Sequence, residues 1–237
     1  MNKVLVIMPT YNEKQNIRNS AEQLLSLNAN VDLLIVDDNS PDSTGDIAEE
    51  LASLSDSIFV LHRAAKEGLG PAYLAGFDWA FERGYERIVE MDADGSHRAQ
   101  DLSKLLEVDA DLVIGSRWVS GGAVVNWPIS RKLISRIGNL YTRLMLGTKV
   151  RDMTAGFRCY KVSLLKKLPL QEVSSHGYSF QVEMAWRSIQ LQASVKEVAI
   201  TFVERELGAS KMNTAIVLEA LWLVTKWGLA RLFKRSL

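Results

Sequence analysis

The first half of the chain is patterned as short apolar runs separated by longer stretches of mixed polarity. Residues 3–8 form a continuous apolar run closed by Pro9, the pattern of a strand buried on both faces of a parallel sheet. Residues 33–36, 58–61, 87–91 and 110–115 repeat that pattern, each bounded by acidic, glycine or proline residues. Between them the spacing lengthens to a helical period. It predicts helices from Asn12, a candidate N-cap, to about residue 27, over 45–53, and from the Gly68-Leu69-Gly70 turn to about residue 83. Strand and helix in regular alternation predict an α/β domain, a mostly parallel sheet with helices on both faces.

The pattern changes after Trp127-Pro128. Residues 129–147 mix Arg131, Lys132, Arg136 and Arg143 with Leu133, Ile134, Ile137, Leu140 and Leu144, which predicts a basic amphipathic helix, either one that lies in a membrane interface or a surface helix covering the sheet. A second helix is predicted over 214–233, rich in leucine and tryptophan and followed by Lys234-Arg235. Trp222, Trp227, Leu229 and Phe233 with that basic end fit an interfacial helix better than a spanning one. The expected division is a catalytic-type domain over 1–213 and an interfacial helix over 214–237.

Composition narrows the partners. The 237 residues suffice for one large domain, and a hydrophobic content of 47% is ordinary for a globular protein. Lys and Arg together number 28, as do Asp and Glu, so no global field draws nucleic acid, and an anionic ligand must be gripped locally. The one cysteine, Cys159, sits between Arg158 and Tyr160 in a strand-like run; it excludes an internal disulfide framework and reads as packing. The first apolar run is too short for a signal peptide. No run reaches about 18 uninterrupted apolar residues, so no transmembrane span is expected.

The candidate chemistry lies where the strands end. Ligands of open parallel sheets bind beyond the carboxyl ends of the strands. Five polar clusters fall there: 9–13, 37–42, 68–70, 92–97 and 115–118. In Met91-Asp92-Ala93-Asp94-Gly95-Ser96-His97 two carboxylates stand two residues apart, a hard oxygen pair suited to Mg2+ or Mn2+. An acidic rim accepts phosphates when a divalent cation intervenes, so metal-bridged nucleotide is the natural ligand. An Asp-x-Asp triplet alone is weak evidence, a solvated acidic turn being its plain alternative. Pro9-Thr10-Tyr11-Asn12-Glu13 in place of a glycine-rich first turn argues against a dinucleotide-binding oxidoreductase. The sequence also contains no Gly-x-x-x-x-Gly-Lys-Ser/Thr loop of a P-loop nucleotidase.

These clusters carry a resemblance. Pro9 to Glu13, Val36-Asp37-Asp38-Asn39-Ser40-Pro41-Asp42, Gly68-Leu69-Gly70, Asp92 to His97 and Gly115-Ser116-Arg117 come first. Arg131 to Ser135, Asp152 to Arg158, Phe180 to Glu183 and Arg205 with Gly208-Ala209-Ser210-Lys211 follow in order. Over nearly its whole length the chain resembles glycosyltransferase family 2, of GT-A type, Rossmann-like fold, and within it the polyprenyl-phosphate or dolichyl-phosphate mannose synthases. Ala99 and Ala199 stand where many members have proline, changes of turn or edge geometry.

The resemblance implies GDP-mannose as donor, with Pro9, Tyr11 and Glu13 at the nucleoside, Val36 and Asp38 beside them, and Asp92, Ala93 and Asp94 at the diphosphate and metal. Ser96, where some members carry glutamine as a further ligand, is the third candidate metal position. It implies the phosphate of a long polyprenol as acceptor, held by Arg117, Arg131, Arg205 and Lys211 with Ser135 adding a hydroxyl. Asp92, Asp94, Arg117 and Arg131 are expected to carry a single in-line displacement with inversion, from an α-linked sugar nucleotide to a β-linked polyprenyl-phosphate sugar. Because the acceptor is already an anion, no strong base is required. His97 is expected to be structural, and Asn12 and Asp42 to serve caps or turns. The alternatives are a glucosyl or other hexosyl transferase using a UDP-sugar, and a non-catalytic sugar-nucleotide-binding protein. The expected location is the cytoplasmic face of a membrane, peripherally bound or held by an anchoring protein; some members of the family continue into transmembrane helices.

Overall fold

The computed structural model describes residues 3–26, 31–173, 175, 177–205 and 214–233. The first half runs β1 (Val4–Thr10), α1 (Ile17–Leu25), β2 (Val31–Asp37), α2 (Thr44–Leu54), β3 (Ile58–His62), α3 (Leu69–Phe81), β4 (Arg87–Glu90), α4 (Leu102–Leu106) and β5 (Leu112–Ser116). The second continues with β6 (Ala123–Val125), α5 (Ile129–Leu146), β7 (Arg158–Lys161), α6 (Val162–Leu165), α7 (Tyr178–Gln190), β8 (Val195–Ala199), β9 (Thr201–Val203) and α8 (Thr214–Leu232). Seven strands form one sheet in the order β3-β2-β1-β4-β7-β5-β8, and β6 pairs with β9 in a second, small sheet.

Successive strand residues point to opposite faces, and both faces are covered. Leu5, Ile7, Leu34, Val36, Ile88 and Tyr160 meet Tyr73, Phe77, Phe180 and Trp186 on one side. On the other, Val6, Met8, Leu33, Ile35, Val89 and Cys159 meet Ile17, Ala21, Leu24 and Leu102. The apolar runs of β1, β2, β4 and β5 are therefore strands covered on both faces, as their pattern predicts, whereas β3 at the sheet edge is only partly buried; Cys159 is a buried thiol whose pKa burial raises to about 11.

Two features depart from expectation, and a third, the direction of β7, adds detail to the mostly parallel sheet. Asn12 does not cap α1: it adopts a left-handed φ of 56° in the turn, and the helix begins later, at Ile17, after Asn16. β7 enters between β4 and β5 antiparallel to both, so the sheet is mixed at one position and parallel elsewhere. Its short run, Arg158 to Lys161, carries no mark of direction in its polarity pattern. Trp227, expected on a membrane-facing surface, is 5% exposed and belongs with Val224 to the main core, where α8 packs on α5 and α7. Lys234 and Arg235 lie outside the described residues.

Helix α5 is unusual in what it turns outward. Ile129, Leu133, Ile134, Ile137, Leu140 and Leu144 are exposed, whereas Asn139 and Thr142 are buried. On α8, which is apolar on more than one side, Leu218, Leu221, Trp222, Leu229 and Leu232 are exposed as well. Among the described residues no helix is long and apolar enough to cross a membrane.

Candidate active site

The carboxyl ends of β1, β2 and β4 lie side by side, and their loops form the acidic rim. At the end of β2, Asp37 organises the turn: it accepts hydrogen bonds from Thr10 Oγ1 (3.0 Å) and from the Ser40 amide (3.1 Å) and hydroxyl (2.6 Å). Asp42 likewise accepts from the Thr44 amide and hydroxyl, so it serves the turn. Asp38 accepts from Arg63 Nη1 at 2.5 Å; burial pushes its carboxyl upward, with Arg63 opposing. Glu13 is buried and accepts from Asn16 Nδ2 at 2.9 Å. The ring of Tyr11 carries the Lys66 ammonium over its face, 4.1 Å from the centroid. Pro9 is partly buried at the strand end, whereas the side chain of Val36 is fully buried, which leaves only its backbone to meet a ligand.

The central acidic turn follows β4, which stops at Glu90, so neither carboxylate sits within a strand. Gly95 takes a positive φ of 75°, the conformation that folds the turn back on itself. His97 is buried, stacks on Phe157 with centroids 5.1 Å apart, and accepts the Asp92 amide proton at Nδ1 (3.0 Å). That bond gives His97 a structural role in shaping the turn. The Ala93 side chain is buried, and its carbonyl accepts from Ser20 Oγ of α1 at 2.7 Å.

The two carboxyls are electrostatically unequal. Asp92, its side chain 36% exposed, is pushed upward by desolvation from the walls around it, with Asp94 adding to the effect and His97 opposing it. Burial also pushes Asp94 upward, but the hydroxyl and amide of Ser96 and the nearby Arg205 and His97 together hold it below the usual carboxylate range. The Ser96 amide donates to Asp94 Oδ1 at 3.0 Å, and Arg205 Nη2 lies 3.1 Å from Asp94 Oδ2. The Ser96 hydroxyl is buried next to Asp94 and faces its carboxylate without an ideally aligned hydrogen bond. Asp92, Asp94 and Ser96 thus present hard oxygen donors that fit Mg2+ or Mn2+. Among the described residues no third acid, histidine or cysteine completes a protein-only metal cage, so water and phosphate oxygens would fill the remaining positions.

The basic residues form a second group. Arg117, after β5, is buried and paired bidentately with Asp152, Nε at 2.8 Å and Nη2 at 2.6 Å, and Nη2 also reaches Thr154 Oγ1 at 2.9 Å. Trp127 and Phe202 lie 5.4 and 5.5 Å from its guanidinium carbon. Arg131, in the first turn of α5, pairs with Glu204 and stacks over Trp127 at 4.1 Å. Glu204 and Arg205 are adjacent in the chain, so one short segment reaches Arg131 with one side chain and Asp94 with the next. The acidic turn and the arginine group are thereby joined. Lys211 lies outside the described residues.

Arg117 and Arg131 stand at a cavity of about 170 Å³ whose other walls include Ser135, Ile134, Val182, Leu221 and Val224. It lies between α5 and α8, with two arginines among mostly apolar walls. Three residues hold this group in place: Asn139 and Glu204 lie outside every motif of the sequence, and Asp152 opens one. Asn139 ties α5 to the 152–154 turn by accepting from the Met153 amide (2.8 Å) and donating to Thr154 Oγ1 (3.2 Å); Asp152 fixes Arg117, and Glu204 fixes Arg131. Each is far in sequence from its partner, and only the polar block beginning at Asp152 hinted at a site.

A parallel-type α/β sheet with a carboxylate pair beyond its central strand is the frame of a GT-A nucleotide-sugar transferase. Residues 5–169 match the family model of glycosyl transferase family 2, and the chain belongs to that family. It is 53% identical over 230 residues to an undecaprenyl-phosphate mannosyltransferase of Micrococcus luteus, covering 96% of this chain and 95% of that protein. It is 50% identical to a polyprenol monophosphomannose synthase of Mycolicibacterium smegmatis, covering 96% and 87%. Among solved structures, glucosyl-3-phosphoglycerate synthase from Mycobacterium tuberculosis in complex with UDP shares the fold, with a TM-score of 0.66 at 17% identity over 97% of this chain and 80% of that one. The protein is a glycosyltransferase.

Proposed function

We propose that this enzyme transfers mannose from GDP-mannose to a polyprenyl monophosphate with inversion, giving a polyprenyl-phosphate β-mannose. The observation that carries the reading is the cavity between α5 and α8, which joins two arginines to an apolar trough beside the acidic turn. Such a trough suits a ligand with an anionic head and a hydrocarbon tail, the chemistry of the acceptors in the names of the two relatives.

In this reading the donor nucleoside lies over the β1 and β2 loops, where Tyr11 gives up its contact with Lys66 to receive the base, and Glu13 and Asp38 accept from base or ribose. Asp92 and Asp94, with Ser96, hold Mg2+ or Mn2+; a relative of the same fold was crystallised with Mn2+ and UDP. The bound ion supplies positive charge to the departing diphosphate. Arg131 exchanges Glu204 for the acceptor phosphate, and its planar fork then orients that phosphate. Arg117, anchored by Asp152, adds a fixed positive charge at the same end of the trough, and Ser135 adds a hydroxyl. Arg205 turns from Asp94 toward the diphosphate, with Lys211 assisting. An acceptor phosphate oxygen bonds to the anomeric carbon as the bond from that carbon to the GDP oxygen breaks, and GDP leaves. The attacking oxygen is already deprotonated, so no side chain need take a proton from it.

The exposed apolar sides of α5 and α8 support attachment to a membrane surface, where the acceptor phosphate resides. Thermal-shift titration with GDP-mannose, UDP-glucose and UDP-GlcNAc, with and without Mg2+ or Mn2+, tests the donor. Metal-dependent stabilisation by GDP-mannose alone is expected, together with transfer of mannose to a short, water-soluble polyprenyl phosphate. Preferential stabilisation by a UDP-sugar would move the enzyme to a different hexosyl donor.

A further inference from the structure

A second basic cleft lies on a different flank of α5 from the trough. It measures about 280 Å³ and is lined by Trp118, Arg136, Asn139, Leu140, Arg143 and Arg151. Arg136 and Arg143 are two helical turns apart and so share one side of α5. Arg151 comes from the loop before β7, which is pinned because Glu197 accepts the Arg151 amide at 2.8 Å and the Asp152 amide at 3.0 Å. Arg136 stacks over Trp118, 4.9 Å from the ring.

Three positive charges here converge, and no acid is paired with any of the three guanidinium groups among the described residues. Among the described residues none of Arg136, Arg143 and Arg151 makes an ion pair, in contrast to Arg117, Arg131 and Arg205 at the active site. Of the two acids beside the loop, Asp152 pairs with Arg117, and Glu197 accepts the backbone amides of Arg151 and Asp152 and pairs with none of the three guanidinium groups. Arg143 Nε is buried with no hydrogen-bond partner. Buried donors are ordinarily satisfied, and clustered guanidinium groups fit the oxygens of a phosphate.

The neighbourhood selects the kind of phosphate. Leu140 lines the cleft and also belongs to the exposed apolar stripe of Leu133, Ile137, Leu140 and Leu144. A ligand held here would have its charge among arginines and apolar chains immediately beside it. We propose that this cleft is a binding site for the phosphate headgroup of an anionic membrane lipid, separate from the acceptor trough. The proposal rests on the membrane-surface reading given above and adds a specific contact to it. The site orients the enzyme on an anionic leaflet and takes no part in transfer.

The test uses the full chain and vesicles of phosphatidylcholine alone or mixed with phosphatidylglycerol, with binding read by sedimentation. R136Q/R143Q and, independently, the exposed R151Q are each compared with wild type. Each arginine replaced should lower partition onto the phosphatidylglycerol vesicles by about fivefold. Partition onto pure phosphatidylcholine, melting temperature and transfer to a short, soluble polyprenyl phosphate should not change. Leu133→Ser/Ile137→Ser, by contrast, should weaken binding to both vesicle types, which reports on the membrane-surface reading itself. Undiminished binding of both arginine variants to anionic vesicles, or equal losses on both vesicle types, would overturn the headgroup site. A thermal shift from inorganic phosphate as large as that from the vesicles, and absent in R136Q/R143Q, would make it a site for soluble phosphate and overturn the lipid assignment.

Discussion

Three carboxylates and three guanidinium groups of this site are paired with one another. Asp94 is matched by Arg205, Glu204 by Arg131 and Asp152 by Arg117, but the three pairs are not equivalent. Arg205 of the first pair and both partners of the second are partly exposed, so these guanidinium groups can turn toward ligands; the third pair is buried and bidentate, so its role is to keep one charge in place. Asp94→Asn preserves shape and removes the charge that a divalent cation requires. Transfer should fall by more than about 100-fold, beyond the loss expected when only a supporting partner of a metal ligand is removed. Titration calorimetry with Mn2+ should lose its signal while the far-ultraviolet dichroism is retained; near wild-type turnover would remove Asp94 from the mechanism. Asp152→Ala leaves the Arg117 guanidinium buried without its partner and should cost about 3–5 kcal/mol in urea unfolding. Arg131→Ala should raise the KM for polyprenyl phosphate more than that for GDP-mannose. An effect confined to the sugar nucleotide would assign Arg131 to the donor.

At the scale of elements, the pairing of β4 with β7 sets Glu90 opposite Arg158 in the core. Arg158 donates to the carbonyls of Met153, Ala155 and Gln181, which fastens the turn that carries Asp152. Neither Glu90 oxygen makes a hydrogen bond of good geometry, and burial raises its pKa from 4.5 to about 8, against the pull of Arg158 and of the Gln181 side chain. Between those values the folded protein keeps a proton that the unfolded chain has released. Stability therefore declines as pH rises from about 4.5 through about 8 and levels off above. Glu90→Gln should remove this part of the decline, so that calorimetric melting temperatures of variant and wild type diverge toward pH 8; parallel profiles would rule out the shift. Little of this was legible in the sequence. Apolar runs disclosed β1 to β5 because a strand buried on both faces must be apolar throughout. The direction of β7 and the partner across it depend on chain crossings that local polarity does not encode. The Asp92 to His97 turn was legible for the opposite reason, since its chemistry is contiguous, whereas Asn139, Asp152 and Glu204 act on partners far away in the chain. Trp227 was misplaced because α8 is apolar around its circumference, leaving the pattern no polar side from which to infer the buried one.

For the molecule as a whole, the proposed lipid acceptor raises the question of how the enzyme would meet it without a spanning helix among the described residues. Its apolar exposure is concentrated on two neighbouring helices, α5 and α8, which also wall the trough holding Arg117 and Arg131. Docking those helices at a bilayer surface would bring the mouth of the trough to the depth of a lipid phosphate. Apolar area leaving water contributes about 25 cal/mol per Å², so several large side chains suffice for reversible attachment. Removing the C-terminal helix would confound the question, because Val224 and Trp227 support the core; Trp227→Ala alone should destabilise by about 3–5 kcal/mol. The discriminating variant changes only the outward side chains: Leu133→Ser, Ile137→Ser, Leu218→Ser and Trp222→Ser together. These four are 57%, 57%, 61% and 62% exposed, so melting temperature and transfer to a short, soluble polyprenyl phosphate should be preserved. Transfer to a long-chain polyprenyl phosphate embedded in vesicles should fall, in step with the loss of vesicle binding measured by sedimentation. Equal losses on the soluble and embedded acceptors would show that these faces serve the trough directly, and the membrane would no longer be their partner.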